Sequence, residues 1–312
     1  MIMTELIKSL QSVLMFDGLL THISLGQKPE FQIEKEITLE AWIYCEAQRR
    51  RTGIITNVFD TSKVESGYGL LLDGKSGIFF ALKTTSKTIQ YLSSKEDSVK
   101  LNQWHHIAGT YDGQRMKVYV DGVEKNTKVI SNSSINYHPE NDLLIGMYKD
   151  NNESYPFSGQ IADIRIWKVA RTEQELRQNM HHRLQGSELG LVGYWSLNEG
   201  SSHTVCDKTS FGNNGIIHNA NWVQTELPIV NVKYNFKLGV DPIMVKETKT
   251  PPQSIEIKEN KASEAVKKTE EIKQDCMMTG LSDYGFWAQK VKEEREARKE
   301  PDPSFRRGRI WC

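Results

Sequence analysis

Two histidine pairs, His105–His106 and His181–His182, are the first residues whose types could do chemistry. An imidazole can hold a metal ion or move a proton near neutral pH. His105 and His106 lie in the run WHHIAGTY, which reads as a strand. Neighbouring strand side chains point to opposite faces, so this pair cannot close on one ion. His181 and His182 end a helical stretch, where adjacent side chains diverge by about 100°. Both pairs are therefore expected to be core or solvated histidines. No H-E-x-x-H, G-x-S-x-G or G-x-x-x-x-G-K-[ST] run occurs, so nothing points to a zinc protease, a serine hydrolase or a phosphate-cradling loop. Cys45, Cys206, Cys276 and Cys312 are far apart in sequence and form no C-x-x-C pair, which predicts four free thiols in a reducing compartment.

The elements that would position any site are mostly strands. Asp-Gly turns at Asp17–Gly18, Asp73–Gly74, Asp112–Gly113 and Asp121–Gly122 separate runs of β-forming residues. Leu39, Ala41, Ile43 and Cys45 alternate with Glu40, Trp42 and Tyr44. Met116, Val118 and Val120 alternate with Arg115, Lys117 and Asp121, and Ala162, Ile164 and Ile166 alternate with Asp163 and Arg165. A period of two predicts one buried and one wetted face. Residues 67–73, 77–83, 88–92, 104–111 and 191–197 add strand candidates. One helix is expected from Thr172 to about His181, opened by a capping box of Thr172 and Glu175, with Leu176 and Met180 covering a sandwich edge. The expected fold is an all-β antiparallel sandwich over residues 1–228. An extended segment and a charged flexible linker follow (229–279), poor in aromatic residues and carrying Pro251–Pro252. A short helical, basic and aromatic tail occupies 280–312, where a protein partner could dock.

Whole-chain properties narrow the partners. The 40 basic and 40 acidic residues cancel, leaving no global field for a phosphate backbone, so nucleic acid is not expected. No run of about 18 apolar residues exists to span a membrane. Glu5 and Lys8 interrupt the first apolar stretch, which argues against a signal peptide and for a cytoplasmic protein, unless a non-classical route exports it.

Several segments in order carry a resemblance: LMFDG at 14–18, ITLEAWI at 37–43, WHHIAGTYDG at 104–113 with VYVDG at 118–122, and FSGQIADIRIWKVART at 157–172. The last runs on into YWSLNEG at 194–200 and DKTSFGNNG at 207–215. Together they resemble the laminin-G-like, concanavalin A-like jelly-roll family. The residues fit the same answer by themselves: Trp42, Trp104, Trp167 and Trp195 sit within strands, where rings of this size fill cores or wall grooves, and Phe157-Ser158-Gly159-Gln160 would start a strand at a bend too tight for a Cβ. The likeness implies a jelly roll. It also implies a lectin-like module that binds a glycan or a protein surface. Family members often hold a structural Ca2+, for which the candidate donors here are Asp17, Glu199, Asp207 and Asn213 (or Asn214). The acidic residue that often follows F-D-G is replaced by Leu19-Leu20-Thr21-His22. For sugar stacking the candidates are Tyr68, Tyr148 and Tyr155, with Asn151, Asn152 and Asp150 to read hydroxyls. Glycosidases of this superfamily use an E-x-D-x-x-E-like run, which is absent; Asp163 has no acidic partner at that spacing. The reading is a lectin-like binding module that is not an enzyme. An interaction scaffold whose tail docks a partner comes second, and a divergent glycan-active enzyme third.

Overall fold

The computed structural model describes residues 10–229, apart from 48, 62, 86–88, 95 and 131–132. The chain divides into two compact units, Met1–Met244 and Val245–Cys312, and every described residue belongs to the first. The expected linker beyond Ile229 and the helical tail at 280–312 lie outside the described residues.

In chain order the first strands are β1 (Leu10–Asp17), β2 (His22–Gly26), β3 (Ile37–Cys45), β4 (Gly53–Asp60), β5 (Glu65–Leu72), β6 (Ile78–Lys83) and β7 (Ile89–Ser93). Next come β8 (Trp104–Tyr111), β9 (Arg115–Val120), β10 (Val123–Val129), β11 (Asp142–Ile145), β12 (Met147–Lys149), β13 (Ser154–Pro156) and β14 (Ser158–Trp167). Helix α1 (Glu173–Asn179) precedes β15 (Leu191–Trp195), β16 (Thr204–Val205), β17 (Gly215–His218) and β18 (Asn221–Glu226). One sheet has the order β10-β9-β8-β3-β14-β1-β18, with β15 also paired to β14. The second has the order β16-β17-β2-β11-β4-β5-β6-β7, and β12 and β13 form a separate hairpin. The ladders are antiparallel, and the fold is the expected all-β sandwich.

The core lies between the sheets. Leu39, Ala41, Ile43 and Cys45 from β3, and Met116, Val118 and Val120 from β9, meet Leu70, Phe80 and Leu82 from the opposite sheet. Gly159 makes the expected bend: its φ is +135°, and an added Cβ would stand 2.0 Å from the carbonyl oxygen of Tyr44. The Asp121–Gly122 turn has both residues at positive φ, which suits the tight hairpin between β9 and β10. Asp17–Gly18 does a different job. It carries the chain from one sheet to the other, because β1 and β2 are not partners.

Two expectations of face are corrected. The outer face of β3 is not wet: Glu40 and Trp42 are 1% and 3% exposed. They lie on the face where α1 packs, with Leu176 against Ala108 and Tyr119, while Arg177 reaches the sheet edge at the carbonyl of Gly122. The alternation in β14 also slips. The pairing shifts register between Ala162 and Arg165, and Asp163 has a φ of +52°. This bulge moves Ala162 to the outer face, beside Val13 and Trp42, while Ile161, Ile164 and Ile166 stay in the core. A period-two pattern cannot reveal an inserted residue.

Candidate functional site

The second sheet keeps an open face. Along β5 the side chains of Tyr68, Leu70 and Leu72 enter the core, as do Ile78, Phe80 and Leu82 of β6 and Leu92 of β7. The intervening residues therefore face outward: Gly67, Gly69 and Leu71 on β5, Phe79, Ala81 and Lys83 on β6, and Ile89 and Tyr91 on β7. The β12–β13 hairpin covers β4, tied by the hydroxyl of Thr56 donating to the carbonyl of Met147 at 2.7 Å. It fits closely because Gly53 has no Cβ; one there would stand 2.2 Å from the backbone nitrogen of Tyr148. Between the hairpin and β7 runs a shallow groove.

Its floor is small and apolar. Leu71 folds over Gly69, where an added Cβ would meet its methyl at 2.7 Å. One wall is the edge-to-face pair Phe79–Tyr91, with centroids 6.1 Å apart and planes at 63°. Tyr91 is 53% exposed. The other wall is Tyr148, whose ring lies 5.8 Å from that of Tyr155 across the hairpin. Polar groups stand at the rim. The hydroxyl of Tyr148 lies 2.9 Å from Asp150 Oδ2 and 3.2 Å from Asp60 Oδ2. Lys83 Nζ is 3.4 Å from Glu65 Oε2, and Arg51 is 3.7 Å from Glu153 Oε2. Burial pushes the Asp60 carboxyl above its ordinary range; the Tyr148 hydroxyl pulls it back and Glu65 pushes it up again. Burial, then Asp150 and Asp60, raise the Tyr148 phenol as well. The enclosed part of the groove is about 60 Å3, room for about two water molecules. A ligand would have to lie across the aromatic walls rather than sink between them.

Of the residues read from the sequence, Tyr148, Tyr155, Asn151 and Asn152 come together on this hairpin. Both asparagines are exposed near its tip, where Asp150 accepts the backbone amides of Asn152 and Glu153. Tyr68 is a correction. It sits inside β5, is 1% exposed, and packs edge-on against Tyr137 in the core, so its ring cannot stack on a ligand. The groove residues missed in the sequence are Phe79, Tyr91, Arg51, Asp60 and Lys83. One signal was available: in 78–83 the aromatic Phe79 lies out of phase with Ile78, Phe80 and Leu82.

The model of the concanavalin A-like lectin/glucanases superfamily matches residues 17–177, about half of the chain. The chain belongs to this superfamily. Mouse pappalysin-1 is 28% identical over 156 residues, covering 47% of this chain and 10% of that protein. Human pappalysin-1 is 29% identical over 153 residues, covering 46% of this chain and 9% of that protein. The chain thus spans about a tenth of the length of these curated relatives. Among solved structures, a candidate carbohydrate-binding protein from Bacteroides ovatus superposes with a TM-score of 0.56 at 22% identity, over 71% of this chain and 62% of that one. That likeness is one of fold.

Among the calcium donors that the superfamily resemblance suggested, Asp17 stands apart from Glu199, and several of the oxygens already accept hydrogen bonds. Asp17 Oδ1 already accepts the backbone amides of Leu19, Leu20 and Thr21. Partial burial raises its carboxyl, but these amides outweigh it and hold the group below its ordinary range. Asp207 is similarly spent: Oδ1 takes the amides of Tyr194 and Thr209, and Oδ2 takes the Thr209 hydroxyl and the Asn213 amide. Glu199 Oε1 accepts the amide of Cys206, while its Oε2 is buried with no hydrogen-bond partner among the described residues. Gly200, next to Glu199, lies against Ser12. That is five residues back along β1 from Asp17, roughly 16 Å at about 3.3 Å per residue. Among the described residues no three His, Cys, Asp or Glu side chains gather as a metal set.

The carboxylates that most resemble catalytic ones are sealed beneath α1. Glu40 accepts from Trp167 Nε1 at 2.7 Å, and its other oxygen is 3.0 Å from His106 Nε2 and 3.7 Å from Arg165. Asp163 accepts from Arg165 Nε at 2.6 Å, Arg183 at 2.7 Å and the Tyr194 hydroxyl at 3.0 Å. The guanidinium of Arg165 also donates to the carbonyls of Asn179 and His182, and Trp42 donates to Met180. The network thereby binds the C-terminal end of α1 to the sheet. Glu40 and Asp163 are each 1% exposed and cannot meet a substrate. His105 and His106 are both buried on opposite faces of β8, His105 beside Asp121 and His106 beside Glu40. Cys45 and Cys206 are not joined in a disulfide, while Cys276 and Cys312 lie outside the described residues.

Proposed function

We propose that the sandwich is a non-catalytic carbohydrate-binding module whose ligand lies across the groove walled by Tyr148 and the Phe79–Tyr91 pair. The observation that carries this reading is the placement of Tyr91. A large aromatic ring stands 53% exposed on a sheet face, braced edge-on by Phe79, with hydrogen-bonding groups to either side. A pyranose has an apolar face of C–H groups and a rim of hydroxyls, and an aromatic wall beside fixed polar groups suits both.

The groove holds one carboxylate pair that could suggest hydrolysis, since Asp60 and Glu65 are opposite each other in the β4–β5 ladder. Opposed strand residues project side by side from one face. A glycosidase needs its two carboxyl groups on either side of the scissile bond. Asp60 is bonded to Tyr148 and Glu65 is paired with Lys83, so each already has a partner.

The test is a glycan array probed with the full chain and with its Tyr91→Ala variant, followed by calorimetry on any hit. Wild-type binding should fall at least tenfold in the variant. Chromatography of the oligosaccharide after prolonged incubation should recover it uncut. Binding that survives Tyr91→Ala unchanged places the site elsewhere, and release of shorter sugars ends the non-catalytic reading.

A further inference from the structure

We infer that the groove selects uncharged, hydroxyl-rich glycans and turns away carboxylated or sulfated ones. This rests on the carbohydrate reading above and adds the chemical class of the ligand.

The first observation is a proton count. The Tyr148 hydroxyl lies 2.9 Å from an oxygen of Asp150 and 3.2 Å from an oxygen of Asp60. A phenol carries one proton and can donate to one carboxylate at a time. The carboxylate that it leaves needs a donor from elsewhere. Asp60 lines the groove, so that donor is best supplied by a ligand hydroxyl. A ligand carboxylate or sulfate has only acceptors to offer at this point.

The second observation is the charge of the rim. Of the charged side chains, Asp60, Arg51 and Lys83 line the groove; Glu65 stands beside Asp60, and the hairpin adds Asp150 and Glu153 against one base, Lys149. The two basic side chains that line the groove, Arg51 and Lys83, already face counter-ions. Arg51 lies 3.7 Å from Glu153, and Lys83 lies 3.4 Å from Glu65. An anionic sugar would have to take a base from its present partner while approaching Asp60 and Asp150. Neither base therefore serves as an anion clamp of the kind that a guanidinium fork makes. The apolar part of the site, Leu71, Phe79 and Tyr91, accepts the C–H face of any pyranose and does not discriminate by charge. Selection by charge falls to the rim.

The experiment measures the affinity of the full chain for matched pairs of oligosaccharides. Neutral galactose oligomers are set against galacturonate oligomers, and N-acetyllactosamine against its sialylated and sulfated forms. The expected result is that the neutral member of a pair binds at least tenfold more tightly, and that Tyr91→Ala removes this binding. In a D60N/D150N variant the preference should narrow at least threefold, with thermal unfolding as the check that the fold is retained. Equal or tighter binding of the anionic member, lost in Tyr91→Ala, overturns the proposed class and leaves the carbohydrate reading standing. Binding of no member of either set overturns both. A preference that does not move in D60N/D150N also overturns the proposal, because the rim carboxylates would then not be its cause.

Discussion

At the scale of single residues, burial decides what each polar group is for. Glu40 and Asp60 are both carboxylates on strands, with opposite fates. Full burial would raise Glu40, but Arg165, His106 and Trp167 outweigh it and hold the carboxyl down to about 2, from an ordinary 4.5. Its folded value is depressed, so the stability that it supplies is complete above the unfolded value and is lost as pH falls from about 4.5 towards 2. Urea unfolding over that window should reveal a loss on the order of a few kcal/mol. Replacing Glu40 by Ala would leave His106 and Arg165 buried without it, at a cost of about 3–5 kcal/mol at neutral pH. Tyr91→Ala should instead leave the thermal midpoint nearly unchanged, because half of that side chain already meets water. The sequence does not separate these fates. Glu40 alternates with Leu39 and Ala41 as a solvent-facing residue would, and only the helix arriving more than 130 positions later puts it under cover. Tyr68 fails the same way in reverse. It was a candidate for stacking on a sugar, yet on its strand the side chain enters the core.

At the scale of elements, strands marked by a period of two or by a bounding turn were legible and those without either were not. Residues 104–111 end in Asp112–Gly113, and β8 appears over that range. Helix α1 opens with the expected capping box: Thr172 accepts the Glu175 amide, and Glu175 accepts the Thr172 amide. Thr172→Ala should cost about 1 kcal/mol, read from chemical denaturation. By contrast β4 is buried over most of its length and shows no clean alternation, so the strand that supports the hairpin went unread. The bulge in β14 escaped because its cause is pairing with β3 and β15. Gly159→Ala tests a bend that was read correctly. A Cβ there meets backbone rather than a yielding side chain, and φ is unsuited to alanine, so the loss should exceed ~2 kcal/mol or soluble protein should not be recovered.

At the scale of the whole molecule, the two sheets differ in how their outer faces are finished. The first is closed by α1 over a buried ionic network. The second is partly covered by the β12–β13 hairpin, and the uncovered part is the groove. The class of fold could be read from turns and alternation, but this asymmetry depends on which connection folds back over which face. The outermost pairing also matters. Strand β18 lies against β1 in antiparallel register, with Leu10 opposite Glu226 and Met15 opposite Asn221. Deleting residues 221–229 should strip this edge, remove Leu227 and Ile229 from their packing against Val13 and Trp42, and abolish cooperative thermal unfolding measured by circular dichroism. The same register means that the polypeptide enters and leaves the sandwich side by side. A host chain could be cut open at a surface loop, receive this whole sandwich, and continue from almost the point where it broke off, with neither half pulled apart. The unit is shaped to be spliced into a longer protein as readily as to stand at its end, and fusing residues 10–229 into a loop of an unrelated host should leave the host's own melting temperature unmoved.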